Sequence, residues 1–433
     1  MATPFRAHAS RSRRSARFGK VAALSAALCL GLGLSPIIAQ DGGGLTYRLG
    51  VSQDFRGRSN PGLSSPSSDT DLTARTNLNF GFSSETRVES FNFNARGSIV
   101  ASNNDESQFL GDPSFSAGYS RRNASMEFSL GAFVNQSRIT TSDLLLEELE
   151  EGFGEEDGQV SLTIIETSAT RRRYGGNARL EFGRDAPFGG SVFASQQETR
   201  YSGTNNPDLV DSTRRSAGVS LRFDLTEVLR LNTGVSVSQF DEVGSPMRQT
   251  ERYSLGLALD RPDGNYSVSL SSVQTPEGGR NSLSFGRQLE LPRGTLGLSA
   301  GLNVSPGGSR GLIGAVSWSE DTPNGSVGVS LSRSVTSDTR DRETVVTRFN
   351  ARTTQNLTPD LVGQANLGLQ ENTRSDTDET IRNLTVSASV RYALTPDWGL
   401  RAGADHRIRR AEATSASSSS LFLTLDREFL MRR

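Results

Sequence analysis

The sequence predicts an all-β fold: a transmembrane up-and-down antiparallel β-barrel of about 20 strands (18–20), preceded by a cleaved signal peptide. Two observations carry most of this. From Leu45 onward, stretches of ten to fourteen residues alternate apolar and polar side chains, the period of a strand with one oily and one wet face. Beyond the N-terminal leader no run of eighteen apolar residues occurs, so helices cannot carry the chain across a bilayer. A two-faced ribbon satisfies its backbone in a membrane only when it curls shut, which removes the edges that lipid cannot hydrogen-bond.

The leader comes first. Residues 1–20 are basic, and Val21 to Leu34 (VAALSAALCLGLGL) is an apolar run too short for a mature span. With Ser35, Pro36 and the small Ala39 it reads as a signal peptide over 1–40, leaving 41–433 as the barrel. The SRRSARF stretch (Ser12 to Phe18) is faintly similar to a twin-arginine signal, but that route carries folded cargo and a barrel reaches its membrane unfolded. Leu28 before Cys29 does not suit a lipoprotein site, which needs a small residue there. Cys29 is the only cysteine, so the mature chain has no thiol for catalysis or metal ligation, as suits an oxidising compartment. Taking the leader's six basic residues from the chain's 47 leaves 41 against 48 acidic ones; this net of −7 excludes a nucleic-acid binder.

Strands are expected to begin near residues 45, 72, 88, 114, 125, 172, 190, 214, 229, 252, 265, 281, 294, 310, 325, 343, 361, 382, 398 and 417. Tight links carry turn chemistry: Pro262-Asp263-Gly264-Asn265, Pro292-Arg293-Gly294, Pro323-Asn324-Gly325, Thr358-Pro359-Asp360 and Thr395-Pro396-Asp397. Longer polar links, such as 56–70, 102–112, 138–159, 201–213, 241–250 and 371–379, are expected to alternate strictly with them, turns on one side of the membrane and loops on the other. Leu72, Leu78 and Phe80 share one face of the second strand, and Val219, Leu221 and Phe223 one face of the eighth, opposite Ser, Asn and Arg positions. Arg287 resists the scheme. It falls on the lipid face between Phe285 and Leu289, where a charge costs about 2–4 kcal/mol at the midplane, so a bulge or slipped register is expected.

The last strand, Leu421 to Phe429 (LFLTLDREF), sets Leu421, Leu423, Leu425 and Phe429 against Thr424, Asp426 and Glu428. It resembles the C-terminal strand of bacterial outer-membrane proteins, whose terminal aromatic helps the assembly machinery recognise them; the resemblance gives that role to Phe429. Four residues, Leu430 to Arg433, follow it here. The whole mature pattern resembles porin-like barrels of the Gram-negative outer membrane. That resemblance implies export by the signal peptide, outer-membrane lipids, lipopolysaccharide and the outer-membrane assembly machinery as partners, no cofactor, and leaves a homo-oligomer open.

The third long link, Thr141 to Gly158 (TSDLLLEELEEGFGEEDG), holds eight acids: Asp143, Glu147, Glu148, Glu150, Glu151, Glu155, Glu156 and Asp157. Ser142 or Asp143 can cap one or two helical turns that Gly152 ends. The third external loop of general diffusion porins is similar in place and acidity; it folds into the lumen and narrows it. Arginines phased inward are Arg75, Arg96, Arg122, Arg171, Arg173, Arg179, Arg222, Arg348, Arg352, Arg391 and Arg401. The candidate constriction is therefore Glu147, Glu148, Glu150, Glu151, Glu155 and Glu156 facing Arg171, Arg173, Arg222 and Arg348. A solvated surface loop is the competing reading.

Catalysis has little to work with. His406 is the only histidine after the leader and phases outward, while Asp405 points the other way, so no enzyme is expected. Tyr47, Phe115, Tyr119, Tyr253, Tyr266, Trp318, Tyr392 and Trp398 read as interfacial girdle residues. Lumen-phased positions are mainly Ser, Asn, Thr, Gly and Arg, without an aromatic ladder for sugars. The function expected is passive diffusion of small polar solutes. A barrel for exopolysaccharide export and a closed structural or adhesive barrel are the alternatives.

Overall fold

The computed structural model describes residues 44–63, 70–103, 108–139, 169–204, 209–276, 278–305, 310–337, 343–375, 377, 379–411 and 414–432. The predicted leader, 1–40, lies outside them. Twenty strands follow in order: β1 Gly44–Ser59, β2 Thr70–Glu85, β3 Glu89–Ser102, β4 Gln108–Arg122, β5 Met126–Ile139, β6 Ala169–Phe182, β7 Phe188–Ser202, β8 Ser212–Asp224, β9 Leu229–Glu242 and β10 Arg248–Arg261, then β11 Gly264–Thr275, β12 Gly278–Leu291, β13 Gly294–Val304, β14 Arg310–Thr322, β15 Gly325–Ser337, β16 Glu343–Thr358, β17 Leu361–Arg374, β18 Thr380–Ala393, β19 Trp398–Ala411 and β20 Thr414–Arg432. Each pairs antiparallel with its neighbour in sequence, and β1 pairs with β20 from Thr46↔Arg432 to Arg58↔Ser420, which closes the ring. The seam is held by side chains too. Thr424 donates to Asp54 at 2.8 Å, and Arg48 meets Glu428 at 2.7 Å.

The two faces separate as the alternation requires. Large apolar side chains point outward and stand exposed, among them Leu312 (71%), Leu421 (70%) and Phe285 (57%). An apolar band of this extent would not persist in water and fits the acyl layer. Among the described residues the buried apolar ones are few: Leu63, Ala169, Val273, Val346 and Ile381. A barrel this wide keeps its oil outside rather than in a core.

The turn side is built tightly. Between β10 and β11, β12 and β13, and β14 and β15 only two residues intervene. A Cβ on Gly264 would strike the carbonyl oxygen of Gln288, and one on Gly325 that of Thr354, so these positions admit no side chain. Aromatic rings collect at this level: Tyr47 against Phe82 (5.2 Å between centroids), Phe82 against Phe91 (5.9 Å), Phe182 against Phe188 (6.0 Å) and Phe188 against Phe223 (5.1 Å). Tyr266, Trp318, Tyr392 and Trp398 lie near the turn ends of their strands as well. Of the other expected girdle residues, Tyr253 lies toward the loop end of β10, while Phe115 sits mid-strand in β4.

Two expectations need correction. Connection lengths do not alternate strictly, because β11–β12 and β19–β20 are joined on the loop side by two residues each. Pairing runs to the tips there, through Thr275↔Gly278 and Ala411↔Thr414, and polar residues on both faces of a rim strand look like loop in sequence. Arg287 needs neither bulge nor slip: β12 keeps an unbroken register with both neighbours, and the side chain does point outward. It lies near the turn, so its guanidinium reaches down over the Tyr266 ring (3.8 Å to the centroid) to the Asp263 carboxylate (2.5 Å). This placement escapes the midplane cost.

Candidate lumen site

The inward face of β11–β15 is a smooth hydroxyl wall. Register places Ser269 opposite Ser284 and Ser271 opposite Ser282, with oxygens 2.6 Å apart in both pairs. Thr295 and Ser319 meet at 2.9 Å. Short side chains satisfy one another across strands here, while nearer the loop end the inward Val273 and Asn303 are buried.

The arc β18–β20 with β1–β3, of which β1–β3 stand across the ring from β11–β13, is charged. Arg391 pairs with Asp426 at 3.0 Å, Arg75 reaches Asp112 at 2.6 Å, and Arg96 donates to Asn79 at 2.8 Å. Exposure of the inward side chains is graded. Arg96, Arg352, Arg391 and Arg401 are exposed, whereas toward the loop end of β16–β19 the inward Thr344 and Gln370 (0%), Asn372 (1%) and Arg407 (3%) are buried. Inward side chains are therefore exposed toward the turn side and buried at the loop end of β16–β19.

All eleven arginines phased inward from the alternation share the lumen parity of their strands. They do not form one cluster. Arg171 and Arg173 stand at the loop end of β6, and Arg348 stands on β16, ten strands away in either direction around the ring. Arg348 donates to the buried Gln370 at 3.2 Å, next to the packed region. Arg222 lies at the other end of its strand, where it donates to the carbonyls of Gly183 (2.7 Å), Arg184 (2.9 Å) and Ala186 (3.0 Å) and so ties down the β6–β7 turn. The acidic partners, Glu147, Glu148, Glu150, Glu151, Glu155 and Glu156, lie outside the described residues. Phe429 points outward on β20 opposite Leu49, with the Arg427 guanidinium 4.2 Å from its ring centroid.

Sequence reasoning passed over Arg407 and Arg409, both buried in the lumen wall of β19. The run HRIRRA shows no contrast between faces, because Arg410 points outward beside them; only phase carried up from Trp398, Leu400 and Ala402 assigns them. It also passed over lumen aromatics. Phe133, Phe193 and Phe422 point inward, each paired in register with a glycine: Gly175, Gly218 and Gly403. Their rings cover those glycines and form no continuous track. His406 is outward and meets Ser419 at 2.8 Å, while Asp405 is inward and accepts from Ser420 at 2.5 Å, so the two are not partners.

A closed antiparallel ring with an apolar belt and a polar lumen defines the class: an outer-membrane β-barrel of the Gram-negative type. No protein-family model matches the chain, and no curated protein matches it in sequence. Among solved structures it is similar to a variant of the ferric enterobactin receptor PfeA of Pseudomonas aeruginosa (10% identity, TM-score 0.52, covering 90% of this chain and 81% of that one). It is also similar to the siderophore receptor PirA of Pseudomonas aeruginosa (10%, 0.50, 88% and 80%) and the FrpB iron transporter of Neisseria meningitidis (10%, 0.50, 89% and 81%). At this identity the likeness is one of fold.

Proposed function

We propose that this barrel is an outer-membrane channel giving passive passage to small polar solutes. The observation that carries the reading is the graded lumen face: exposed arginines Arg352, Arg391 and Arg401 toward the turn side, and buried polar side chains from the level of Gln370 to the loop end. The neighbours named as a siderophore receptor and an iron transporter support transport across the outer membrane in the broad sense. The burial of Thr344, Gln370 and Asn372 favours a second reading, a barrel closed at its loop end and serving envelope structure.

Single-channel recording in planar bilayers decides between them. The channel reading expects discrete conductance, and a shift of anion-over-cation preference toward cations in Arg348→Glu. A folded barrel with no conductance to any neutral or charged solute would sink it and leave the closed reading.

A further inference from the structure

On the outward face, two pairs of arginines stand directly opposite each other on adjacent strands: Arg172 with Arg200 on β6 and β7, and Arg382 with Arg410 on β18 and β19. Like charges directly opposite in a sheet destabilise it, so one such pair calls for a counter-ion and two call for a common cause.

The two pairs have the same construction. All four side chains are exposed. One arginine in each is held by a carboxylate, Arg200 by Glu198 and Arg382 by Glu371, both at 2.6 Å. Its opposite keeps an uncompensated charge: Arg172 binds the neutral Gln136 amide oxygen at 2.8 Å, and Arg410 makes no ion pair among the described residues. Each site is thus net positive, with a second guanidinium fork alongside.

They also sit at the same height. Arg172 lies ten residues above Phe182 of the turn-side girdle, and Arg382 ten above Tyr392. At about 3.4 Å per residue and a tilt near 40°, ten residues rise roughly 26 Å, the thickness of the apolar band. Below the first pair the outward face passes Tyr174, Glu198 and Gln196 before it turns apolar at Ala178, Ala194, Leu180 and Val192, and below the second it carries Leu384, Ile408 and Val386 with His406 among them. By this height the arginines stand at the headgroups of the loop-side leaflet, at the upper edge of the apolar belt.

We infer that Arg172–Arg200 and Arg382–Arg410 are two binding sites for a lipid carrying phosphate on its headgroup, the phosphate bridging both guanidinium forks while the chains lie along the apolar belt. The inference rests on the membrane placement of the barrel, and is independent of whether the lumen conducts.

The test uses the folded, detergent-solubilised barrel titrated with diphosphorylated lipid A and, separately, with the same lipid stripped of phosphate, the retained lipid being read by native mass spectrometry. The phosphorylated lipid should be held at least tenfold more tightly. Arg172→Gln with Arg200→Gln should remove about half of it, and adding Arg382→Gln and Arg410→Gln the rest. The mobility shift of the unheated barrel on a gel reports folding. If the fourfold variant does not fold, the single variants Arg172→Gln and Arg410→Gln carry the same reading. Equal retention of the two lipids, unchanged retention by the variants, or full displacement by millimolar inorganic phosphate, which would mark a free-anion site, would each overturn the proposal. Conductance in bilayers lacking phosphorylated lipid tests the channel reading on its own, so the two can fail separately.

Discussion

The ring of Phe193 covers Gly218, its register partner on β8, so closely that a Cβ built on the glycine would stand 2.7 Å from the ring. The aromatic supplies the packing a glycine cannot, between the Ser191–Ser220 and Ser195–Ser216 pairs that also join the two strands. Phe193→Ala should cost about 1 kcal/mol, the size of an aromatic cross-strand contact. Gly218→Leu should cost more, by collision. Urea titration of the barrel in detergent measures both, and equal stability of wild type and Phe193→Ala would contradict this role.

Arg287 is tolerated because of where it sits, not because the belt tolerates charge. Phe285, two residues further from the turn on the same outward face, stands between Val268 and Ala300, and the Tyr266 ring and Asp263 carboxylate below it are already taken by Arg287. Phe285→Arg should destabilise the barrel by about 2–4 kcal/mol, whereas Arg287→Leu should be within about 1 kcal/mol of wild type. Comparable losses for the two would show that height does not set the cost.

Gly325 has no room for a methyl group, since its Cβ would meet the backbone of Thr354 on β16. Gly311, near the loop end of β14, has only a distant valine methyl at 3.9 Å. Gly325→Ala should therefore lower the folded yield several-fold while Gly311→Ala leaves it unchanged, read as the heat-modifiable band on a gel. The opposite ranking is incompatible with the close approach of the turn to β16.

Arg222 spends its guanidinium on three carbonyls of the β6–β7 turn. Its side chain is 31% exposed, so Arg222→Ala should cost only about 1–2 kcal/mol, less than the sum of three charge-assisted hydrogen bonds. Ion selectivity should stay as in the wild type. A changed selectivity in this variant would return Arg222 to the pore.

Most of the ring was legible in the sequence, because period-two alternation with one buried-in-lipid face leaves little freedom of register. The expected start of every strand falls within six residues of the observed one, the largest gap being 114 against 108 for β4. That strand carries two irregularities against β3 and the positive φ of Asp112, features alternation does not show. The lumen was less legible. Phase assigned arginines to the inside correctly, but height decides what each one does, and height depends on which strand end is the turn. Arg222 and Arg171 look alike in sequence and lie at opposite ends of adjoining hairpins. Aromatics over glycines were missed because the partner lies on another strand, visible only once register is known.

The seam between β1 and β20 has a further consequence. Thr46 and Arg432 are register partners at the turn side, so the first and last strands meet as any two hairpin neighbours do. The register of this junction runs unbroken from end to end, as it does at most of the other nineteen. A circular permutant, joined there by a two-residue turn and opened instead at the short link 412–413, should refold in detergent into the same cylinder, where no assembly machinery has to read a C-terminal strand.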